Sequence, residues 1–156
     1  MFYSRKSPRL KYYDYSACNY YFITICTHGK ECIFGFPNQL NAWGKIALEH
    51  LSRIEQNYAC AKVIKAVIMP NHVHMVLALD DSKNNPNVST LIGLYKTGVT
   101  KQIRIENPDA VVWQRSFHDH IIRNQISFER IWNYIENNPA KWEEDCFYIR
   151  QAENKC

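Results

Sequence analysis

Two histidines separated by one valine are the residues of this chain with the clearest chemical potential. His72 and His74 stand at the start of an apolar run that ends at Leu79. In a β-strand, residues i and i+2 point to the same face, so both imidazoles would leave the backbone on one side, about 7 Å apart. That arrangement would let them share one metal ion. For this motif alone, two half-exposed histidines on a sheet are the simpler alternative.

A second histidine pair lies further along the chain, where His118 and His120 flank Asp119. Alternation in a strand would again place the two imidazoles on one face. Three roles stay open for this segment. It could form a rival metal site, it could orient other ligands through His120 and Asp119, or it could contact DNA.

A phenol and an amide are predicted to project together from the last helix. Tyr134 lies at the border of its apolar stripe, and Asn138 follows one turn later on the same side. For this helix alone, a boundary tyrosine and a C-terminal asparagine would be sufficient explanation. The apolar stripe itself consists of Phe128, Ile131, Trp132 and Ile135.

The elements that would position these groups alternate along the chain. Apolar residues at every third or fourth position predict helices over about 38–58, 88–105 and 126–138. β-branched and aromatic runs predict strands over 19–27, 62–69, 72–79 and 116–122, with a short return strand over 32–34. The order β-α-β-β-α-β-α predicts an α+β fold. It is a ferredoxin-like antiparallel sheet (βαββαβ) with helices on one face and an additional C-terminal helix that carries the tyrosine.

Composition favours one domain over residues 1–156, because 46% of the residues are hydrophobic and 13% are aromatic. No stretch approaches the roughly 20 apolar residues that span a bilayer, and the N-terminus lacks the apolar region of a signal peptide. The six cysteines form no C-x-x-C pair, which without a secretion signal indicates reduced thiols. We therefore expect a cytoplasmic protein with no membrane segment.

The net charge of +4 is small, but basic residues crowd an N-terminal arm over about residues 1–18. Lysine and arginine neutralise phosphates, and tyrosines offer flat faces to unstacked bases. A solvated tail whose tyrosines cover an edge of the core accounts for the pattern equally well. The arm contains Arg5, Lys6, Arg9 and Lys11, interleaved with Tyr3, Tyr12, Tyr13 and Tyr15.

Three segments in a fixed order resemble the single-tyrosine HUH transposases, and among them the REP-associated tyrosine transposases. The HxH pattern alone is weak evidence, whereas the three together are specific, and the resemblance extends over about residues 12–142. The segments are Pro-Asn-His-Val-His over 70–74, Trp-Gln-Arg-Ser-Phe-His-Asp-His-Ile-Ile-Arg-Asn over 113–124, and Tyr-Ile-Glu-Asn-Asn-Pro over 134–139.

The resemblance implies metal-assisted cleavage and rejoining of single-stranded DNA through a covalent 5′-phosphotyrosine. His72 and His74 match the family's histidine pair, and Tyr134 matches its nucleophile. Asn138 matches the polar residue that completes the metal site, and His120 matches a histidine of the middle segment. Two imidazole nitrogens with oxygen ligands would admit Mg²⁺ or Mn²⁺, of which Mn²⁺ suits imidazole better.

The expected partner is single-stranded or hairpin DNA. The protein is expected to be a monomer or a homodimer, and the short chain after Pro139 favours the monomer. A non-catalytic single-strand binder and a metal-dependent nuclease that uses water as nucleophile are the alternatives. The residues expected to contact DNA are Arg5, Lys6, Arg9, Lys11, Lys96, Lys101, Arg104, Arg115, Arg123 and Arg130.

Overall fold

The computed structural model describes residues 9–148. Its helices are α1 (Ala42–Asn57), α2 (Val88–Glu106) and α3 (Gln125–Asn137), with short 3-10 helices at His28–Lys30 and Trp142–Glu144. Its strands are β1 (Asn19–Cys26), β2 (Gly35–Phe36), β3 (Gln39–Leu40), β4 (Ala61–Met69), β5 (His72–Leu79) and β6 (His118–Ile122).

The short return strand predicted over 32–34 is wrong. The strand is instead β2, which pairs with β3 in a separate two-stranded hairpin. Its first residue, Gly35, has a φ of +100°, and a Cβ there would lie 2.7 Å from the carbonyl oxygen of Gln39. Only glycine tolerates that backbone, so the hairpin starts there. Phe34, just before it, is fully buried in the core.

The main sheet confirms the predicted ferredoxin-like arrangement. Its strand order is β4-β5-β1-β6, and each pair of neighbours is antiparallel. The strand β5, which carries both histidines, is therefore central, between β4 and β1. A central strand is paired along both edges, and this pairing fixes the direction of every side chain on it.

The two faces of the sheet carry different layers. Helices α1 and α2 pack against one face and form the main core with Val73, Met75 and Leu77 of β5. Helix α3 packs against the opposite face, where Val76 and Ile135 belong to a smaller cluster. Because side chains alternate along a strand, His72 and His74 share the α3 face. The fold thus brings the C-terminal helix to the histidines.

An asparagine caps the N-terminus of each of these helices. The side chains of Asn41, Asn87 and Asn124 accept hydrogen bonds from the backbone N–H groups of Gly44, Ser89 and Ser127. Asparagine is among the residues favoured at this position, because its oxygen satisfies a donor that the helix leaves free. The start of α3, and with it the position of Tyr134 along the helix, is therefore fixed locally.

Candidate active site

His72 and His74 lie side by side in the buried layer between β5 and α3. Their ring centroids are 4.4 Å apart, and the two side chains are almost completely shielded from solvent. Burial lowers the pKa of His72 to about 4 and that of His74 well below its usual value. Both imidazoles are therefore neutral at physiological pH and keep a lone pair for a ligand.

Asn71 fixes the orientation of His72. The Asn71 amide nitrogen donates to the carbonyl oxygens of Lys30 and Phe147, so its oxygen faces His72 Nδ1 at 2.8 Å. An amide oxygen only accepts, so the proton of His72 must sit on Nδ1. The other ring nitrogen, Nε2, is then an acceptor, and it is buried without a hydrogen-bond partner.

Thr24 holds the ring of His74 through a hydrogen bond to Nδ1. It lies directly across from His74 on β1, and its hydroxyl oxygen is 2.8 Å from His74 Nδ1. Metal-binding histidines characteristically donate their second ring N–H to such a partner, which holds the ring in place. When Nδ1 of His74 donates to the Thr24 hydroxyl, its Nε2 atom has a lone pair available for a ligand.

Tyr134 and Asn138 of the α3 segment approach the histidines from the other side. The Tyr134 hydroxyl is 3.4 Å from His74 Nε2, and the residue as a whole is 39% exposed. The side-chain oxygen of Asn138 is buried without a hydrogen-bond partner. The tyrosine thus lies between the buried histidines and solvent, where a substrate can reach it.

Sequence reasoning missed Asp145, which lies just after the 3-10 helix at Trp142–Glu144. Its carboxylate accepts hydrogen bonds from the Tyr134 hydroxyl, at 3.2 Å, and from the Asn138 amide. Ligand atoms of His72, His74 and Asp145 all lie within 4.8 Å of one another. No sequence pattern marks this aspartate, because it belongs to none of the three recognisable segments.

These residues fit a divalent cation. Two neutral ring nitrogens with free lone pairs lie beside an amide oxygen, and two of these three acceptors, on His72 and Asn138, are buried with no donor. An unpaired buried acceptor is costly unless a cation or a donor faces it. Nitrogen and oxygen donors of this kind suit Mn²⁺ and, less well, Mg²⁺.

The family model for the IS200-like transposases matches residues 14–138. The chain belongs to this family. A Haemophilus influenzae protein of unassigned function is 33% identical over 93% of both chains. A second protein from that organism, provisionally named a REP-associated tyrosine transposase, is 25% identical over 82% of this chain and 74% of its own.

Two solved structures share the fold of this IS200-like transposase. A REP-associated tyrosine transposase bound to a REP hairpin has a TM-score of 0.62 and 18% identity, over 86% of this chain and 74% of that one. A provisionally assigned transposase from Deinococcus radiodurans R1 has a TM-score of 0.55 and 15% identity, over 83% and 97%. The family match over residues 14–138 includes the strands and helices that position His72, His74 and Tyr134.

The second histidine pair lies on one face of the sheet, at a distance from the candidate site. His118 and His120 lie opposite Thr24 and Phe22 of β1, so they share the face of the candidate site but are two strands away from β5. Both are exposed. Over residues 9–148, the candidate metal cluster of histidine, cysteine or carboxylate groups does not include them.

Asp119 does not fit the orienting role considered for it. Its Cα partner on β1 is Ile23, a residue of the main core, so its side chain leaves the sheet on the face away from His72 and His74. The carboxylate is almost fully buried, 3.8 Å from the Arg9 guanidinium. Alternation along the predicted strand already separates Asp119 from His118 and His120, but only the pairing with β1 decides which of the two faces carries the candidate site.

The predicted DNA contacts separate into distinct regions. Arg130 lines a cleft of about 300 Å³ with Tyr134, Asn138 and Asp145, and Lys141, which the sequence analysis did not select, lines it too. Arg123 lines another cavity beside His120. Arg115 is exposed just before β6. The cleft next to Tyr134 therefore combines the positive charges of Arg130 and Lys141 with the carboxylates of Glu144 and Asp145.

The basic residues of α2 lie in the layer opposite the candidate site. Lys96 donates to the carbonyl oxygens of Gln114 and Ser116, and Arg104 donates to that of Ala110. Lys101 is exposed on the same helix. Lys96 and Arg104 thus hold backbone segments, and the DNA contacts predicted for α2 stay predictions.

The described part of the N-terminal arm packs on the protein. Arg9 stacks on Phe117 and contacts Ser89, while Lys11 is exposed. Tyr13 and Tyr15 pack against the main core, as the alternative interpretation of the arm predicts. Arg5 and Lys6 fall outside the described residues.

The remaining sequence predictions concern membranes and thiols. Within residues 9–148, none of the helices has the length and hydropathy that a bilayer-spanning segment needs. The five cysteines of this range are free thiols, as expected. The cytoplasmic location and the oligomeric state stay predictions.

Proposed function

We propose that this IS200-like transposase cleaves and rejoins single-stranded DNA at hairpin or palindromic repeat sequences through a 5′-phosphotyrosine on Tyr134. The observation that carries the proposal is the position of the Tyr134 hydroxyl, 3.4 Å from His74 Nε2 and at the mouth of a cleft lined by Arg130. A nucleophile must lie beside the groups that stabilise charge on the reacting phosphate.

In the proposed step, Tyr134 Oη attacks the scissile phosphorus. The new bond joins this oxygen to phosphorus, and the bond that breaks joins phosphorus to the 3′ oxygen of the preceding nucleotide. The phenol proton is lost, and the released 3′ oxygen gains one. Rejoining reverses the step with a 3′-hydroxyl as the attacking group, so no nucleotide triphosphate is consumed.

His72, His74 and Asn138 would bind the cation in this scheme. The chemistry that Mg²⁺ or Mn²⁺ supplies when bound is polarisation of the scissile phosphate and stabilisation of charge in the transition state. The protein orients both rings through Asn71 and Thr24, so the ligand atoms are placed before DNA arrives.

The protonation state of Tyr134 agrees with a cation requirement. Burial and the negative charge of Asp145 raise the pKa of the phenol well above its usual value. The hydroxyl therefore stays protonated at neutral pH in this state, and Asp145 accepts its hydrogen bond. Positive charge beside the phenol would favour the phenolate, which is the better nucleophile.

The substrate is proposed from the relatives. One of the solved structures with this fold is a REP-associated tyrosine transposase bound to a REP hairpin. Arg130 and Lys141 in the cleft at Tyr134 offer cationic groups that could contact individual phosphates. A nuclease that uses water as nucleophile would share the cation but would leave Tyr134 unmodified.

Mapping a covalent adduct tests the proposal directly. The full chain is incubated with hairpin-bearing single-stranded DNA and Mn²⁺, and the product is denatured, digested and sequenced by mass spectrometry. We expect a DNA 5′-phosphate attached to Tyr134. Cleavage without any protein-linked product would favour the water mechanism, and DNA binding without cleavage would favour the non-catalytic binder.

The N-terminal arm is expected to strengthen DNA binding. Deleting residues 1–8 removes Arg5 and Lys6 and leaves the Arg9 contacts in place. Each lost phosphate contact should reduce the slope of log affinity against log salt by about 0.7 for a single strand. Affinity measured at several salt concentrations, with exposed Lys45→Gln as a charge control, checks this. An unchanged slope would remove the arm from the DNA-binding surface.

A further inference from the structure

We propose that Asp145 is a ligand of the same cation and supplies the negatively charged group of its ligand set. The inference rests on the metal site of the proposed function and extends it to a residue outside α3. The geometry supports it, because a carboxylate oxygen of Asp145 and ring nitrogens of His72 and His74 all lie within 4.8 Å of one another. Atoms at such separations can surround one ion with little movement.

Charge balance favours an anionic ligand in this layer. The imidazoles of His72 and His74 are neutral, and so is the amide of Asn138. A divalent cation bound by these three groups alone would bring its full charge into a site shielded from solvent, which is costly without a partner of opposite sign. Among the groups of the described cluster, only Asp145 carries a negative charge.

The hydrogen bonds of Asn138 support the same assignment. Its amide nitrogen donates to Asp145, so its oxygen is the atom left buried without a donor. Asp145 thereby sets which end of the amide is available to a cation. The carboxylate would thus contribute to the site in two ways. Its own oxygens would bind the ion, and its hydrogen bond would orient the side-chain oxygen of Asn138 toward the ion.

One side chain couples the Asp145 segment to the histidine strand. Asn71, whose oxygen orients His72, also donates through its nitrogen to the carbonyl oxygen of Phe147. The backbone N–H of Phe147 in turn donates to Asp145. The Phe147 ring lies against the His72 ring, with centroids 4.6 Å apart. The position of the carboxylate is therefore tied to the position of the first histidine.

A merely structural role is the alternative for Asp145. As a hydrogen-bond acceptor, it would hold Tyr134 and Asn138 in place without touching an ion. The two roles differ in what Asp145→Asn does. Asparagine keeps the shape and an acceptor oxygen but removes the charge, so a structural role predicts at most the roughly 10–100-fold loss of Mn²⁺ affinity typical of an orienting partner.

The test measures Mn²⁺ binding to the full-length protein without DNA, by calorimetry and by the paramagnetic resonance signal of free Mn²⁺. We expect Asp145→Asn to weaken binding by more than about 100-fold, beyond the roughly 10–100-fold loss typical of a residue that only orients a metal ligand. Glu143→Gln is the matched control. It removes one exposed carboxylate from the same segment and should bind Mn²⁺ as the wild type does. Thermal unfolding without metal checks that each variant is folded.

The possible failures can be told apart. If Asp145→Asn weakens Mn²⁺ binding by no more than about 100-fold while His72→Ala loses binding, the aspartate is not a ligand and the histidine site stands. If the wild type itself binds no Mn²⁺, both the aspartate assignment and the proposed metal site are overturned. Equal weakening by Asp145→Asn and Glu143→Gln would show a general charge effect and would also overturn the assignment.

Discussion

Tyr134→Phe is expected to lower the rate of DNA cleavage by about 10³-fold or more, as losses of a catalytic nucleophile do. The substitution removes only the hydroxyl, which is the attacking atom in the proposed mechanism. The ring contacts of Tyr134 with His74 and Phe22 would remain. The lost hydrogen bond to Asp145 should cost only about 1 kcal/mol of stability, because the phenol is partly exposed. Gel assays with labelled DNA and Mn²⁺ measure the rate.

Tyr20→Phe provides the matched control. Tyr20 lies on the same face of the sheet, is also partly exposed, and packs on Phe128 of α3. Its hydroxyl is remote from the histidines, so we expect normal cleavage and a normal covalent product. Efficient cleavage by Tyr134→Phe, or an adduct on a different tyrosine, would contradict the proposed mechanism.

The double substitution of His72 and His74 by alanine is expected to abolish both Mn²⁺ binding and cleavage. The variant removes both nitrogen ligands and leaves the Asn71 oxygen without its donor. Because both rings are buried, it should also lose several kcal/mol of stability from the cavity and the unpaired group. Metal affinity must therefore be measured at a temperature where the variant is folded, as judged by circular dichroism.

Val73→Ala separates the loss of stability from the loss of metal. Val73 stands between the two histidines but points into the main core on the other face of the sheet. Its replacement should lower stability by about 1–3 kcal/mol through a cavity, while Mn²⁺ binding and cleavage persist in the folded protein. Normal cleavage by the double histidine variant would show that the metal assignment is wrong.

The sequence by itself determined the order of strands and helices in this protein and the main residues of its candidate active site. Hydrophobic periodicity located the four main strands and the three helices, because a buried face imposes its period on the chain locally. The same alternation placed His72 and His74 on one face, and the helical period placed Tyr134 near Asn138. The structure brings these four residues together, and their metal-binding and catalytic roles stay proposals.

Only the tertiary structure decided which groups surround that set. The roles of Asn71 and Thr24 in orienting the two rings depend on a turn and on a neighbouring strand, and Asp145 arrives from a segment without regular pattern. Asp119 falls on the wrong face, and the basic residues of α2 fall in the opposite layer. These features depend on strand pairing and on which face of the sheet each helix covers. Strand pairing and helix placement are both set by contacts between segments that are distant in the chain, so the local hydrophobic pattern does not predict them.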